Sequence, residues 1–348
     1  MNAKYLLTFF KTDQPRRQRV IFGILKNQLT VSTSYNGLRY GILDQIGLFP
    51  KIDKAEFDGL LSELTKQELV SEIEPGQLIL TEKGELHRQQ YAKEHYVLSQ
   101  RKEIFQADVV NFRDAFLLSN QVVSELAYHN TRYYPVPAST AVKQTIKQWY
   151  ALSHSTDLPY LWAKSLQNFL SQISEEDANR IANTWIGHAI PGLVATQLQF
   201  PATWDAQDYY LWELDCYAKW STQLRDSENT ALRQLWAVFE RRDLMSNSMR
   251  QTYNDFMAGQ SLEQMANQRH LKLGTLREHL LSAAILLPVA DFNYDLFLTD
   301  TIKNDLASKL SGSIDEWQFE MVRQTSDPIE FFYFRLYSIQ QTKLEAGQ

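Results

Sequence analysis

Residues 259–284, GQSLEQMANQRHLKLGTLREHLLSAA, contain two short amphipathic segments joined by RHLKLG. Ser261 is a candidate N-cap for the first segment, and Gln264, three residues later, completes a capping box. His270 occupies the position at which the chain has to turn. Gly274 is expected to cap the second segment, since glycine is an acceptable N-cap. The short spacing between the segments predicts a helix-turn-helix.

The second segment of this pair has an inner face centred on Leu276 and Leu280. Its outer face and the turn before it supply the candidate residues for binding DNA or a partner protein, namely Arg269, Lys272, Thr275, Arg277, Glu278, Leu281 and Ser282. Few of these are the Arg, Lys, Asn or Gln that usually read bases in the major groove. An exposed Leu281 favours a protein contact, because leucine forms no hydrogen bond with a base. The pattern leaves two alternatives open, weak binding to the DNA backbone and docking onto a protein.

Basic residues elsewhere in the chain are further candidates for phosphate contact. Three of them flank the helix-turn-helix, namely Arg241, Arg242 and Arg250. A second cluster near the N-terminus comprises Lys11, Arg16, Arg17, Arg19 and Lys26. The net charge is −6, so any contact with nucleic acid has to be local. We therefore expect DNA binding to be weak and steeply dependent on salt.

The first 98 residues show the beginning of a winged-helix pattern. Two apolar segments, 19–29 and 38–49, are predicted as helices, and Pro50 closes the second of them. A third helix is predicted to begin at Asp53, which has the residue type of an N-cap. The exposed face of that third helix is mostly acidic and would repel phosphate.

A β-hairpin is predicted around Pro75-Gly76, where two short apolar runs flank a tight turn. Thr81 is expected to cap the helix that follows. Three helices followed by a hairpin indicate a winged-helix-like domain over residues 1–98.

The rest of the chain is predicted to be helical. Residues 99–245 contain seven of the eight tryptophans, which indicates a helical bundle with a bulky core. Residues 246–348 contain the helix-turn-helix and further helices at 301–310 and 331–339. The predicted fold is therefore mainly α, with an N-terminal winged-helix-like domain, a helical middle bundle and a C-terminal helix-turn-helix domain.

Composition excludes several classes of protein. With 44% hydrophobic residues, 13 Gly and 10 Pro, the chain favours packed helices over disorder or an open sheet. The single cysteine, Cys216, excludes an intramolecular disulfide and a CxxC metal site. No apolar run reaches the ~18 residues that a membrane helix needs, and the N-terminus lacks a signal-peptide cleavage pattern. We expect a cytoplasmic protein, associated with the nucleoid if it binds DNA.

Enzymatic motifs are absent from the sequence. It contains no Walker A, GxSxG, HExxH or GxGxxG pattern. Its seven histidines show no metal-ligand spacing with carboxylates. We therefore expect a protein without catalytic residues, cofactor or metal.

The stretch AGQSLEQMANQRHLKLGTLREHLLSA resembles the helicase-associated helix-turn-helix found near the C-terminus of some RecQ helicases. It is also similar to stand-alone bacterial proteins of the YpbB type, whose gene often neighbours a RecQ-type helicase gene. The residues that fit the family pattern are Gly259, Ser261, Leu262, Glu263, Met265, Ala266, Arg269, Leu271, Thr275, Leu276, His279 and Leu280. Gln264 replaces an acidic residue of the pattern, and Gly274 replaces its Ser cap.

The resemblance implies a non-enzymatic accessory factor in DNA repair or recombination, with a RecQ-type helicase as partner. It supplies no catalytic residue. Two alternatives remain, a transcription regulator that binds duplex DNA directly and a scaffold that only binds proteins.

Overall fold

A computed structural model describes residues 1–228, 230–240 and 244–347. Within these residues the protein is mainly α, as predicted, and its only sheet has three short strands. The chain forms two compact units, each assembled from separate segments. Unit 1 comprises Met1–Thr12, Gly59–Ser71 and Leu80–Arg242, and unit 2 comprises Asp13–Asp58, Glu72–Ile79 and Asp243–Gln348. The predicted winged-helix range, 1–98, thus supplies residues to both units.

The N-terminal part of the chain contains four α-helices and the three strands. The helices are α1 (Gln18–Lys26), α2 (Val31–Arg39), α3 (Lys54–Lys66) and α4 (Glu82–Glu94). The strands are β1 (Arg16–Arg17), β2 (Val70–Glu74) and β3 (Gln77–Leu80), in the sheet order β1-β3-β2. The predicted hairpin turn at Pro75-Gly76 lies between β2 and β3 and is confirmed.

Two predicted helix caps in this region are confirmed. Asp53 Oδ1 accepts a hydrogen bond from the Glu56 amide at 2.7 Å, immediately before α3. Thr81 Oγ1 accepts one from the Gly84 amide at 2.9 Å at the start of α4. Both bonds satisfy an amide that has no acceptor within the helix.

The helix predicted over 38–49 is wrong. The helix in this region, α2, begins earlier, where Thr30 Oγ1 accepts a hydrogen bond from the Thr33 amide at 3.1 Å. After α2 the backbone has left-handed conformation at Gly41 (φ 63°) and Gly47 (φ 74°), which ends regular helix. Most apolar residues of 38–49 are buried nonetheless, namely Leu38, Tyr40, Ile42, Ile46 and Leu48, so their spacing reflects burial in a core and not the period of a helix.

The tryptophan-rich region forms a helical core within unit 1. Its helices are α5 (Arg101–Gln106), α6 (Val109–Ala127), α7 (Thr140–Ser153), α8 (Leu158–Leu170), α9 (Glu175–Thr184), α10 (Ala206–Arg225) and α11 (Ala231–Ala237). Phe112 of α6 lies 4.8 Å from Trp236 between ring centroids, and Phe116 lies 4.7 Å from Trp220. Six tryptophans of this region are buried, namely Trp149, Trp162, Trp185, Trp212, Trp220 and Trp236. The bulky-core prediction is confirmed.

In the described residues, the C-terminal part of unit 2 contains five further α-helices. They are α12 (Asn247–Met257), α13 (Leu262–Arg269), α14 (Leu273–Leu286), α15 (Asp300–Lys309) and α16 (Pro328–Glu345). The helices predicted at 301–310 and 331–339 correspond to α15 and to the middle of α16. Within unit 2, α14 packs against α2, α12, α13 and α16, so it is the central helix of this core.

Candidate nucleic-acid interface

The predicted start and turn of the helix pair are confirmed. Ser261 Oγ accepts a hydrogen bond from the Gln264 amide at 3.2 Å, and the Ser261 amide donates to Gln264 Oε1 at 2.9 Å. This reciprocal capping box begins α13. His270 ends α13 in left-handed conformation, with φ 52° and ψ 40°, which reverses the chain toward α14.

The predicted cap of the second helix is wrong. The N-cap of α14 is Lys272, whose backbone is extended and whose carbonyl accepts a hydrogen bond from the Leu276 amide at 3.2 Å. This bond closes the first turn of α14, and Gly274 lies inside that turn. Gly274 is therefore a helical residue and not the N-cap. No side chain caps α14 at Lys272. The first amides of α14 are therefore free of a capping side chain.

Arg269 stabilises the helix pair from within. Its Nη1 donates to Thr252 Oγ1 at 2.7 Å, and its Nη2 donates to Ser248 Oγ at 2.8 Å and to the Ser248 carbonyl at 3.1 Å. Thr252 is fully buried, and its Oγ1 lies 2.9 Å from His279 Nδ1. These bonds join the end of α13 to α12 and α14. The predicted phosphate contact of Arg269 does not fit this arrangement, because its Nη1 and Nη2 atoms donate to groups inside the fold.

The C-terminal half of α14 is buried, which contradicts the predicted outer face. Leu281 is 3% exposed and Ser282 is 5% exposed. Six consecutive residues, 280–285, are buried, because α14 is surrounded by other helices of unit 2. Helical spacing alone places Leu281 opposite the inner face, but here a second layer of structure covers that side. The protein contact proposed for Leu281 is made within the chain.

The N-terminal end of α14 remains accessible. Lys272 is exposed, and Thr275 and Arg277 are half-buried. At Gly274 a Cβ atom would meet nothing within 4 Å, so a ligand can approach the backbone closely there. Arg277 Nε is buried without an acceptor among the described residues. Glu278 is exposed in the next turn. Its negative charge restricts the positively charged surface of α14 to the N-terminal end of the helix.

This geometry has the start, turn and second helix of a known domain type. Residues 248–337 match the family described as a helix-turn-helix domain. The matched range runs from α12 to α16 and contains the helix pair described above. No curated protein and no solved structure gave a significant match to the chain. The helix-turn-helix prediction is confirmed at the level of the domain.

The N-terminal basic cluster is only partly available to a ligand. Arg16 is 2% exposed, donates through Nη2 to the Tyr40 carbonyl at 2.8 Å and lies 5.1 Å from the Tyr40 ring. Its predicted phosphate contact is therefore wrong, since its guanidinium is part of the core. Arg17 is half-buried and Arg19 is exposed. Both line a cleft of about 280 Å³ beside the hairpin turn, so these two remain candidates.

The cations that flank the helix-turn-helix contribute less to the interface. Arg241 and Arg242 lie outside the described residues. Arg250 is half-buried on α12. The accessible basic groups of the helix-turn-helix itself are therefore Lys272 and Arg277.

Unit 1 contains two histidine–carboxylate contacts that the sequence did not indicate. His188 Nδ1 lies 2.7 Å from Glu125 Oε2, and the pKa of this carboxyl is lowered by the hydrogen bond. His95 Nδ1 lies 2.7 Å from Asp208 Oδ2, with Asp205 close by. Within the described residues this last group is the one cluster with metal-ligand proximity.

The His95 group does not have the open ligand atoms of a metal centre. Asp208 accepts hydrogen bonds from the amides of Tyr96, at 2.9 Å, and Asp205, at 2.8 Å, besides its bond to His95. Asp205 in turn caps α10. These carboxylates therefore join the end of α4 to the start of α10, and each of their oxygens already accepts at least one hydrogen bond.

Two remaining features of the chain indicate no site. Cys216 is buried, and desolvation raises the pKa of its thiol, which disfavours the reactive thiolate. None of the helices in the described part of the chain combines the length and apolar character needed to cross a bilayer.

Proposed function

We propose that this protein is a non-enzymatic DNA-binding accessory factor, and that it binds the DNA backbone through the N-terminal end of α14. The supporting observation is the accessible first turn of α14 in a domain that matches the helix-turn-helix family. Free amides at a helix N-terminus attract phosphate oxygens. Lys272 adds a positive charge, and Gly274 allows close approach.

Contact with phosphates is favoured over reading of bases. A recognition helix reads base edges with the residues of its N-terminal turns, and those turns of α14 offer few of the Arg, Lys, Asn or Gln side chains that read bases, while residues 280–285 are buried. The carboxylate of Glu278 also opposes deep insertion between phosphates. The protein should therefore bind duplexes of different sequence with similar affinity, which disfavours the transcription-regulator alternative.

Work alongside a RecQ-type helicase in DNA repair or recombination is the second part of the proposal. Its support is the resemblance of residues 259–284 to the helicase-associated helix-turn-helix. The scaffold alternative loses its main argument, because Leu281 is buried. Purified protein and helicase should co-purify after nuclease treatment. Loss of the complex on nuclease treatment would show that DNA alone connects the two proteins.

The DNA interface can be tested with Lys272→Glu and the matched control Lys143→Glu. Lys143 is an exposed lysine on α7 of unit 1. Binding to a fluorescent duplex is measured by anisotropy over a series of salt concentrations. Lys272→Glu should weaken binding on every sequence and reduce the slope of log K against log[salt] by about 1. If both substitutions have the same effect, the end of α14 is not the DNA contact.

A further inference from the structure

The α6–α7 loop of unit 1, residues 128–139, holds two tyrosine rings in solvent. Its sequence is YHNTRYYPVPAS. Tyr128 is 65% exposed and Tyr134 is 96% exposed. Tyrosine rings are usually at least partly buried, because their contact with water is unfavourable. Two rings left in water, in the unit whose core buries six tryptophans, indicate a surface that a ligand covers.

The backbone at Tyr134 is fixed by a buried amide side chain of α6. Gln121 is 7% exposed, its Nε2 donates to the Tyr134 carbonyl at 2.9 Å, and its Oε1 accepts from the Val136 amide at 2.8 Å. Pro135 and Pro137 lie on either side of Val136 and fix their own φ angles. Because the backbone is already held, little conformational entropy is lost when a ligand stacks on the Tyr134 ring.

Tyr128 is fixed by a second group on the same face of α6. Its ring stacks on His188 with 4.3 Å between ring centroids, and His188 Nδ1 lies 2.7 Å from Glu125 Oε2. Glu125 follows Gln121 by one helical turn, which places their Cβ atoms about 5–6 Å apart. Both tyrosines are therefore attached to neighbouring turns of one helix face. His188 covers one face of the Tyr128 ring, and the exposure of Tyr128 leaves the opposite face open.

The charge of the α6–α7 loop favours an anionic ligand. Arg132 lies between the two tyrosines in the sequence and is exposed, and its guanidinium pairs with none of the residues that the structure describes. The Arg132 amide donates to Asn130 Oδ1 at 3.1 Å, and Asn130 Nδ2 donates to Glu125 Oε2 at 2.7 Å. The sequence contains no Asp or Glu between Glu125, which is 5% exposed, and Asp157. The cation is thus held beside the rings without a carboxylate in its own segment.

Unpaired bases match this combination of open rings and positive charge. Proteins that bind single strands use aromatic side chains as platforms for bases and cations for the backbone phosphates. In a duplex the base faces are stacked inside the helix, and a base has to be extruded before a protein can stack on it. An apolar protein partner would cover the rings but would gain nothing from the charge of Arg132.

We propose that the α6–α7 loop binds single-stranded nucleic acid, with unpaired bases stacked on Tyr134 and Tyr128 and a phosphate bound by Arg132. Every base has a π-face, so the loop takes strands of mixed sequence. This surface belongs to unit 1, whereas the proposed duplex contact at the end of α14 belongs to unit 2. The two proposals rest on different residues and are tested separately.

The test measures binding of fluorescent oligonucleotides to the full chain by anisotropy. The probes are oligo-dT and oligo-rU of about 10 nucleotides, an abasic strand that keeps the phosphates but has no bases, and a blunt duplex, all of equal length. The abasic strand should bind about tenfold more weakly than oligo-dT, because stacking on the tyrosines is lost. Tighter binding of oligo-dT or of oligo-rU would identify DNA or RNA as the source of the strand.

Variants separate stacking on the loop from a non-specific effect. Tyr134→Ala should weaken binding of oligo-dT about tenfold, whereas Tyr134→Phe keeps the ring and should bind as the wild type does. Arg132→Ala should reduce the slope of log K against log[salt] for oligo-dT by about 0.7. The matched control is Tyr160→Ala, since Tyr160 is 71% exposed on α8 of the same unit but follows Asp157 in the sequence. This control should bind oligo-dT as the wild type does.

Tyr134→Ala should leave duplex binding unchanged, because paired bases cannot stack on the ring. Equal binding of the abasic strand and oligo-dT would overturn the inference, as would an unchanged affinity of Tyr134→Ala for oligo-dT. Equal losses in Tyr134→Ala and Tyr160→Ala, or no binding of either single strand, would also overturn it. None of these results affects the duplex contact, which depends on the response to Lys272→Glu.

Discussion

Substitution of Leu281 by Ala tests whether the second helix of the pair is a core element or a free recognition surface. Leu281 is 3% exposed and belongs to the same apolar core as Leu280, Phe334 and Leu336. Leucine-to-alanine substitutions at such positions cost about 3–5 kcal/mol, from lost burial and the cavity left behind. On a freely exposed face, the same change would cost only a few tenths of a kcal/mol.

Leu344→Ala is the matched control, because Leu344 is on α16 of the same unit and is 56% exposed. Urea unfolding followed by circular dichroism gives the free energy of unfolding of both variants. Hydrogen exchange of the α14 amides assigns the loss to unit 2, since most of the tryptophan fluorescence comes from unit 1. A loss below about 0.5 kcal/mol for Leu281→Ala would refute the burial of α14 and restore Leu281 as a docking residue.

Two further predictions concern groups inside unit 2. Arg269→Ala should destabilise the protein by about 1–3 kcal/mol, because it loses its hydrogen bonds. Unlike Lys272→Glu, it should leave the slope of log K against log[salt] for DNA binding unchanged. Urea unfolding measures the first effect, and anisotropy on the same samples measures the second. Buried Lys343 donates to the Leu287 carbonyl, and desolvation lowers its pKa to about 8 from 10.5. Between these two pKa values the unfolded chain binds more protons than the folded one, so the free energy of unfolding should rise with pH across about 8–10.5. Lys343→Met should be more stable than the wild type at pH 7 and should lack this rise. Parallel pH profiles of the free energy of unfolding for both proteins would contradict the lowered pKa of Lys343.

The accessible part of the helix-turn-helix has a functional consequence. The accessible basic groups, Lys272 and Arg277, lie at the N-terminal end of α14, whereas residues 280–285 lie in the core of unit 2. In the function proposed above, such a domain would position a backbone contact without specifying a sequence.

Local signals in the sequence were sufficient for several elements of the fold. The capping box of Ser261 and Gln264, the caps at Asp53 and Thr81, and the hairpin turn at Pro75-Gly76 each depend on residues at most three positions apart. Interactions over this distance are encoded by the residue types themselves. The mainly α fold and the tryptophan core followed from composition and helical spacing, which are also read directly from the residue types.

Tertiary structure decided which faces of these elements meet solvent. Periodicity identifies one apolar face of α14, but it cannot show that α2 and α16 cover the other side and bury Leu281 and Ser282. Arg16 and Arg269 look like free cations in the sequence, and only partners distant in the chain, such as Tyr40 and Thr252, place them inside the fold. Burial is a property of packed surfaces, and a chain acquires it only when its distant segments meet.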